Sequence, residues 1–250
     1  MPDHLLAERA ERVLTLTLDR AEKKNAITGA MYAGLTAELA AAADDDAVRA
    51  VVLTGAGGVF TAGNDLGDFL MDPPTGPDST VFQFLQAVST FPKPLLAAIE
   101  GPAVGIGTTV LLHCDFAYAA PSAVFKMPFV DLGLVPEAAS SLLVPRLAGT
   151  ARAAELLMLG RSFSAETARE IGLVNAVTDA PLAEAQETAA EIATKAPEAV
   201  RLTKALLKRE TAGAVGETIV REGELFIERL SSPEAQEAFS AFFEKRPPRF

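Results

Sequence analysis

The chain has 250 residues, 49% of them hydrophobic, with 22 Lys and Arg against 33 Asp and Glu for a formal net charge of −11 at neutral pH. That length and apolar content allow a sizeable core, while so acidic a balance disfavours nucleic-acid partners and gives phosphates no general attraction. A single cysteine, Cys114, excludes an intrachain disulfide, and no apolar run is long enough to span a membrane.

Residues 1–9 lack a basic-then-apolar leader and the last three residues form no peroxisomal signal, so a soluble cytoplasmic protein without membrane partners is expected. Residues 13–18 read as a strand. Thr28 is placed to cap a helix over 29–43, which the acidic Asp44, Asp45 and Asp46 terminate. A β-branched run over 48–54 ends in Gly55, Ala56, Gly57 and Gly58, where a strand must stop. Phe60-Thr61-Ala62-Gly63-Asn64-Asp65 follows, free of bulk at Ala62 and Gly63, before a helix with Asp65 and Asp68 at its start.

Asp72-Pro73-Pro74-Thr75-Gly76-Pro77-Asp78 cannot continue a helix and reads as an exposed loop, either inert or shaping substrate choice. The apolar strand over 94–99 leads into Gly101-Pro102-Ala103-Val104-Gly105-Ile106-Gly107 and a buried helix over 108–112. Beyond Ala138 the periodicity turns helical, with segments at 142–147, 151–159, 164–171, 182–194, 197–208, 216–230 and 233–244. Such an order, β/α alternation and then helices, implies an α/β protein with helices outside its sheets.

The two glycine-punctuated loops each follow an apolar strand and open a helix. Each can present bare N–H groups to one ligand oxygen, and two such donors make an oxyanion hole. Either loop alone reads first as an ordinary strand-to-helix turn. His4 and His113 have no metal-ligand partner at a useful spacing, so no metal is expected, and no Gly-x-Ser-x-Gly elbow points to a triad hydrolase.

Taken together, Val51-Val52-Leu53-Thr54-Gly55, the two loops, Phe125-Lys126-Met127-Pro128, Leu134-Val135-Pro136-Glu137 and Ala168-Arg169-Glu170-Ile171-Gly172-Leu173-Val174-Asn175 resemble the crotonase superfamily of enoyl-CoA hydratases and isomerases, in family order from near residue 14 to the C-terminus. The resemblance implies a crotonase (ClpP-like) spiral of ββα units over 1–190, with the acyl-CoA site, and a C-terminal helical region over 191–250 that mediates assembly into a homotrimer or a homohexamer built as a dimer of trimers. It also implies that the N–H groups of Asn64 and Ile106 hold the thioester carbonyl. Lys24, Asn25, Ala26, Ala62, Asp65 and Leu66 would contact the coenzyme, with Lys23 and Lys24 near its phosphates. Phe242 and Lys245 would help cover a CoA, often a neighbouring subunit's, although Phe242 is equally a helix-packing residue. No cofactor is implied, since CoA is part of the substrate.

Hydratases of the family use two glutamates, and the register of the loops places Thr109 and Phe129 at those positions. Neither transfers a proton near neutral pH. Glu137, after Pro136 and before small residues, matches the base of the peroxisomal-type Δ3,Δ2-enoyl-CoA isomerases. Without the resemblance it reads as a first-turn helix acid. Burial would raise its proton affinity and a helix N-terminus would lower it. The leading expectation is an isomerase, with a hydratase using an unconventional water and a non-catalytic acyl-CoA binder as rivals. Asp131 and Glu100 are expected in structural or solvated roles, and His113 and Cys114 in the core.

Overall fold

The computed structural model describes residues 3–250, so Met1 and Pro2 of the N-terminal stretch read above lie outside the described residues. Strands β1 (Leu5–Ala10) and β2 (Val13–Leu18) form an antiparallel hairpin. β3 (Ala50–Gly55), β4 (Leu95–Ile99), β6 (Phe116–Ala119) and β9 (Ala176–Val177) join in parallel, giving a six-stranded sheet ordered β1-β2-β3-β4-β6-β9. A second sheet, ordered β5-β7-β8, holds β5 (Pro102–Val104), β7 (Val124–Lys126) and β8 (Phe163–Ser164).

The central strands are buried on both faces, and their sequences show why. Along β3, Val51 and Leu53 enter the larger apolar cluster, while Ala50 and Val52 enter a smaller one shared with Ala185 and Ala189. Side chains of a strand alternate between faces, so two covered faces require an unbroken apolar run. α8 (Pro181–Ala193) covers the second face with alanines, which let helix and sheet approach closely. On the first face lie α1 (Gly29–Asp44) and α3 (Thr80–Thr90). Met31, Leu35, Leu39 and Ala42 form the buried stripe of α1 at helical spacing, and the Thr28 hydroxyl caps the Met31 N–H at 3.3 Å.

Two short helices start at the glycine-punctuated loops, α2 (Leu66–Met71) and α4 (Ile106–Thr109). After them come α5 (Ser140–Ala148), α6 (Thr150–Met158) and α7 (Ala165–Glu170), the last capped by Ser164. The C-terminal region differs from expectation in one respect. The segments read as separate helices at 197–208 and 216–230 are one helix, α9 (Pro197–Leu230). Gly213 and Gly216 lie at the gap between those two segments, but each costs only about 1 kcal/mol in a helix interior, and no proline interrupts the ladder. α10 (Pro233–Phe243) closes the chain, capped by Ser232. Val215, Ile219, Phe226, Ala235 and Phe239 of these two helices belong to the larger cluster, and the 190/191 boundary lies inside α8. Among the described residues no helix is long and apolar enough to cross a membrane.

The site depends on how the loops before α2 and α4 are sewn together. Thr61 and Ala103 form a parallel bridge, in which the Thr61 N–H donates to Pro102 O at 3.0 Å and the Val104 N–H to Thr61 O at 3.0 Å. Contact this close leaves no room for side chains: a Cβ on Gly63 would lie 2.8 Å from Val104 O, and one on Gly107 2.5 Å from Thr61 Cγ2. Gly63 also has φ +92°. Gly63→Ala therefore adds backbone strain to a backbone clash and should lose about 2 kcal/mol or more, seen by calorimetry as a Tm lowered by roughly 4–8 °C.

Candidate active site

Asn64 and Ile106 face one cleft of about 710 Å3, within the range of small-molecule sites. The N–H of Gly105 donates to Lys126 O at 2.8 Å and those of Thr108 and Thr109 return to Gly105 O. Among the described residues, neither the Asn64 N–H nor the Ile106 N–H has a hydrogen-bond acceptor. Both stand at corners where the chain leaves a bridged strand and enters a helix, so they are spare donors beside the same cavity. Gly105, at φ 58° and ψ −119°, makes the second corner in a conformation that side-chain-bearing residues avoid.

The side chain of Asn64 is itself held, because its Oδ1 accepts from the Tyr32 hydroxyl of α1. Tyr32 is buried, and burial first and the nearby Glu137 charge second push its phenol well above the ordinary value. It remains a neutral donor. Thr61 adds a further tie, accepting from the Gly63 N–H at 3.0 Å and donating to Asn25 O at 2.7 Å.

Of the residues expected to meet the coenzyme, Lys24, Ala26, Ala62, Asp65, Leu66 and Phe242 line the cleft. Asn25 does not. It is fully buried, with its Oδ1 accepting from the Arg20 N–H and its Nδ2 donating to Ala56 O and Val59 O. Its amide therefore pins the loop before Phe60, one layer behind the cleft. Asp65 lines the cleft but is already engaged: Arg20 pairs with Oδ2 at 2.6 Å, and Oδ1 caps α2 through the Gly67 and Asp68 N–H groups. Burial raises its pKa, but Arg20 and those backbone donors outweigh it and hold the carboxyl below its usual range. Lys245 is exposed just past α10 and does not line the cleft, whereas Arg246 does, paired with Glu237 at 2.5 Å. Lys23 and Lys24 line the cleft near Glu22 and, among the described residues, have no ion-pair partner. They are the cations free to meet an anion there.

Glu137 is 5% exposed and stands three residues before α5 rather than in its first turn. Thr109 Oγ1 donates to Glu137 Oε1 at 2.9 Å, so the first of the two positions at which hydratases carry an acid here serves the carboxyl. The second, Phe129, is buried against the cleft. Desolvation dominates the Glu137 carboxyl and, with the Glu222 charge, overrides the Thr109 hydrogen bond to bring its pKa to about 7. The helix start does not compete, because Glu222 of α9 takes the Ala139 and Ser141 N–H groups. Glu137 itself is not on the cleft wall. Ile106 and Leu134 are, each three residues from a partner in the Thr109–Glu137 hydrogen bond. Asp131 pairs with Lys126 at 2.8 Å, and Glu100 is half-buried at the strand end before Gly101. His113 is buried with Nε2 against Ala138 O at 2.8 Å.

Sequence reasoning missed Tyr32, Glu222 and Arg246. Glu222 had a signal: it interrupts the stripe of Val215, Ile219 and Phe226 with an acid at an apolar position. Tyr32 offered less, being one of two tyrosines in the chain and placed in an alanine-rich helix.

The sequence matches the family model for enoyl-CoA hydratase/isomerase over residues 8–250. It is 37% identical to 1,2-epoxyphenylacetyl-CoA isomerase of Escherichia coli (strain K12), covering 100% of this chain and 99% of that protein. It is 35% identical to enoyl-CoA delta isomerase 2 of Rattus norvegicus, covering 94% of this chain and 62% of that protein. Other relatives are named as hydratases, among them 2,3-dehydroadipyl-CoA hydratase of E. coli. The solved structure of Pseudomonas aeruginosa OdaA superposes with a TM-score of 0.94 at 49% identity, covering 96% of this chain and 99% of that one.

A carboxyl whose pKa is raised in the folded state binds its proton more tightly there than in the unfolded chain. Stability from this group is full below the unfolded value near 4.5 and falls as pH rises towards about 7. Glu137→Gln removes that liability. Thermal unfolding should show the variant gaining Tm relative to the parent at pH 8, with the gain shrinking towards pH 5.

Proposed function

The chain belongs to the enoyl-CoA hydratase/isomerase family, and we propose that within it this enzyme moves a 3,4 double bond of an enoyl-CoA to the 2,3 position. The observation that carries this reading is the buried Glu137 carboxyl with a pKa of about 7, bonded by Thr109, which with Phe129 is expected from the resemblance to stand where a hydratase has its two acids. The thioester oxygen is received by the Asn64 and Ile106 N–H groups, which acidify the carbon 2 protons. Glu137 removes one of these, and the negative charge spreads over a dienolate from the thioester oxygen to carbon 4. The same carboxylic acid then protonates carbon 4, leaving the 2,3 alkene and the original carboxylate. The shift is redox-neutral and needs one base within reach of both carbons, so no cofactor beyond the substrate's own CoA is assigned.

A pKa near 7 suits a group that takes and then returns a proton. Lys23 and Lys24 supply positive charge for the coenzyme phosphates in an otherwise acidic chain, and Phe242 gives an apolar face for its pantetheine or adenine. Leu206 and Leu207 on α9 are 65% and 81% exposed, which supports assembly through the C-terminal helices into a trimer or a dimer of trimers. A second reading, an acyl-CoA binder without turnover, is favoured by one observation: Glu137 lies behind the cleft wall. Catalysis requires the acyl chain to reach Glu137 past that wall.

Coupled assays with 3-enoyl-CoA and crotonyl-CoA separate the readings. The isomerase should convert the first substrate with kcat/KM rising through about pH 7, since the carboxylate is the active form. Glu137→Gln should lower that rate by about 10²–10⁴-fold while calorimetric binding of a saturated acyl-CoA persists. Tight binding with no turnover of either substrate would establish the binder, and crotonyl-CoA hydration alone a hydratase.

A further inference from the structure

α5 begins immediately after two buried alanines in the left-handed region, Ala138 at φ 58° and Ala139 at φ 55°. Each costs about 1–2 kcal/mol for a residue with a side chain, and such geometry persists only where its surroundings over-determine it. The surroundings here are polar and complete. The Ser140 N–H and hydroxyl both donate to Glu137 O, at 3.0 and 2.6 Å, and His113 Nε2 meets Ala138 O. Glu222 reaches over from α9, with Oε2 accepting from the Ala139 N–H at 2.7 Å and Oε1 from the Ser141 N–H at 2.9 Å. It is 6% exposed, and burial raises its pKa, opposed by these N–H groups and Ser141; among the described residues no Lys or Arg pairs with it.

A buried acid without a cation is costly, so its position calls for a reason beyond packing. The start of a helix is a positive end that any nearby carboxylate can occupy. Glu137, three residues upstream, would be the default occupant. Were it to cap α5, it would leave Thr109 and lose the proton affinity that burial gives it. We propose that Glu222 is a positioning residue for Glu137: by occupying both backbone donors at the start of α5, it fixes the left-handed corner and leaves the Glu137 carboxyl free beside Thr109.

The groups facing Glu137 are the Thr109 hydroxyl from α4, the Tyr32 phenol from α1 and the Glu222 carboxylate from α9. His113 approaches the same corner, but burial, aided by Lys208 and Lys204 and opposed by the Ala138 carbonyl, takes its imidazole down to about 4, so it is neutral near pH 7. Among the described residues, Glu222 is therefore the one acidic group facing Glu137. Its removal lowers the proton affinity of Glu137 twice over, by deleting a like charge and by uncovering a helix N-terminus.

This inference rests on the reading of Glu137 as the base, and its test has one arm that needs no turnover. Glutamate carboxyls labelled with ¹³C are titrated by NMR in the full-length protein, with the Glu137 signal assigned by its loss in Glu137→Gln. In Glu222→Gln the Glu137 carboxyl should titrate about one pH unit or more below the parent. The kcat for 3-enoyl-CoA should fall about tenfold or more, with KM changed less than about threefold. Glu222→Asp keeps the charge but is one methylene short, so it should leave the titration near the parent value while still lowering kcat. An unchanged Glu137 titration in Glu222→Gln overturns the proposal. If that variant does not fold, Glu222→Asp with parental kcat overturns it. A parent enzyme without isomerase activity sinks the role of Glu137 as base, and the titration then still decides whether Glu222 holds it.

Discussion

Two backbone hydrogen bonds between Thr61 and the strand at Ala103 are the constraint on which the site depends. They force two chain segments more than forty residues apart to run side by side, and each then turns into a helix at the same level. The N–H groups left over at those turns, on Asn64 and Ile106, fall beside one cleft because the strands below them are in register. The bridge is short enough that Gly63 and Gly107 admit no side chain. Its neighbours reinforce it: Asn25 pins the first loop from behind, the Tyr32 hydroxyl holds the Asn64 amide, and the Lys126 carbonyl takes the Gly105 N–H. Donors fixed in this way need no reorganisation when charge develops in front of them.

The second constraint is electrostatic. A carboxyl nine-tenths or more buried resists ionising, while one at a helix start ionises readily, and Glu137 is close to both conditions. The structure separates them by giving the helix start to another acid. Glu222 sits where the sequence of α9 would put an apolar residue, and it accepts the donors that would otherwise draw Glu137. Among the described residues, Thr109 then remains as the one hydrogen-bond donor to the Glu137 carboxyl, too weak alone to offset desolvation.

Much of this was legible in the sequence because it rests on local rules. The cap at Thr28, the all-apolar run of β4 and the glycine corners follow from backbone chemistry within a few residues. The pairing of the two loops was legible only through family resemblance, since nothing local says that Thr61 meets Ala103. Long-range polar contacts were hidden for the same reason. Asn25 follows two lysines and was expected to contact the coenzyme, yet it is fully buried because the left-handed turn at Lys24 and Asn25 folds its amide inward. Lys245 and Arg246 are adjacent cations, and only the chain reversal after α10 decides which one meets the cleft. The unbroken α9 was obscured because glycine propensity is a weak prior that tertiary packing overrides.

The alanines at 138 and 139 show how packing and chemistry share one corner. Glycine at either position would relieve the left-handed strain, but both side chains are fully buried in the larger apolar cluster, and glycine would give up that contact and loosen the chain. Alanine is the smallest side chain that fills the site, and its strain is offset by hydrogen bonds from three separate elements. A carboxyl attached to a corner so fully determined has little freedom to swing towards solvent. On the reading of Glu137 as the base, the substrate must reach it past the apolar cleft wall, where Ile106 and Leu134 each stand three residues from a partner in the Thr109–Glu137 hydrogen bond.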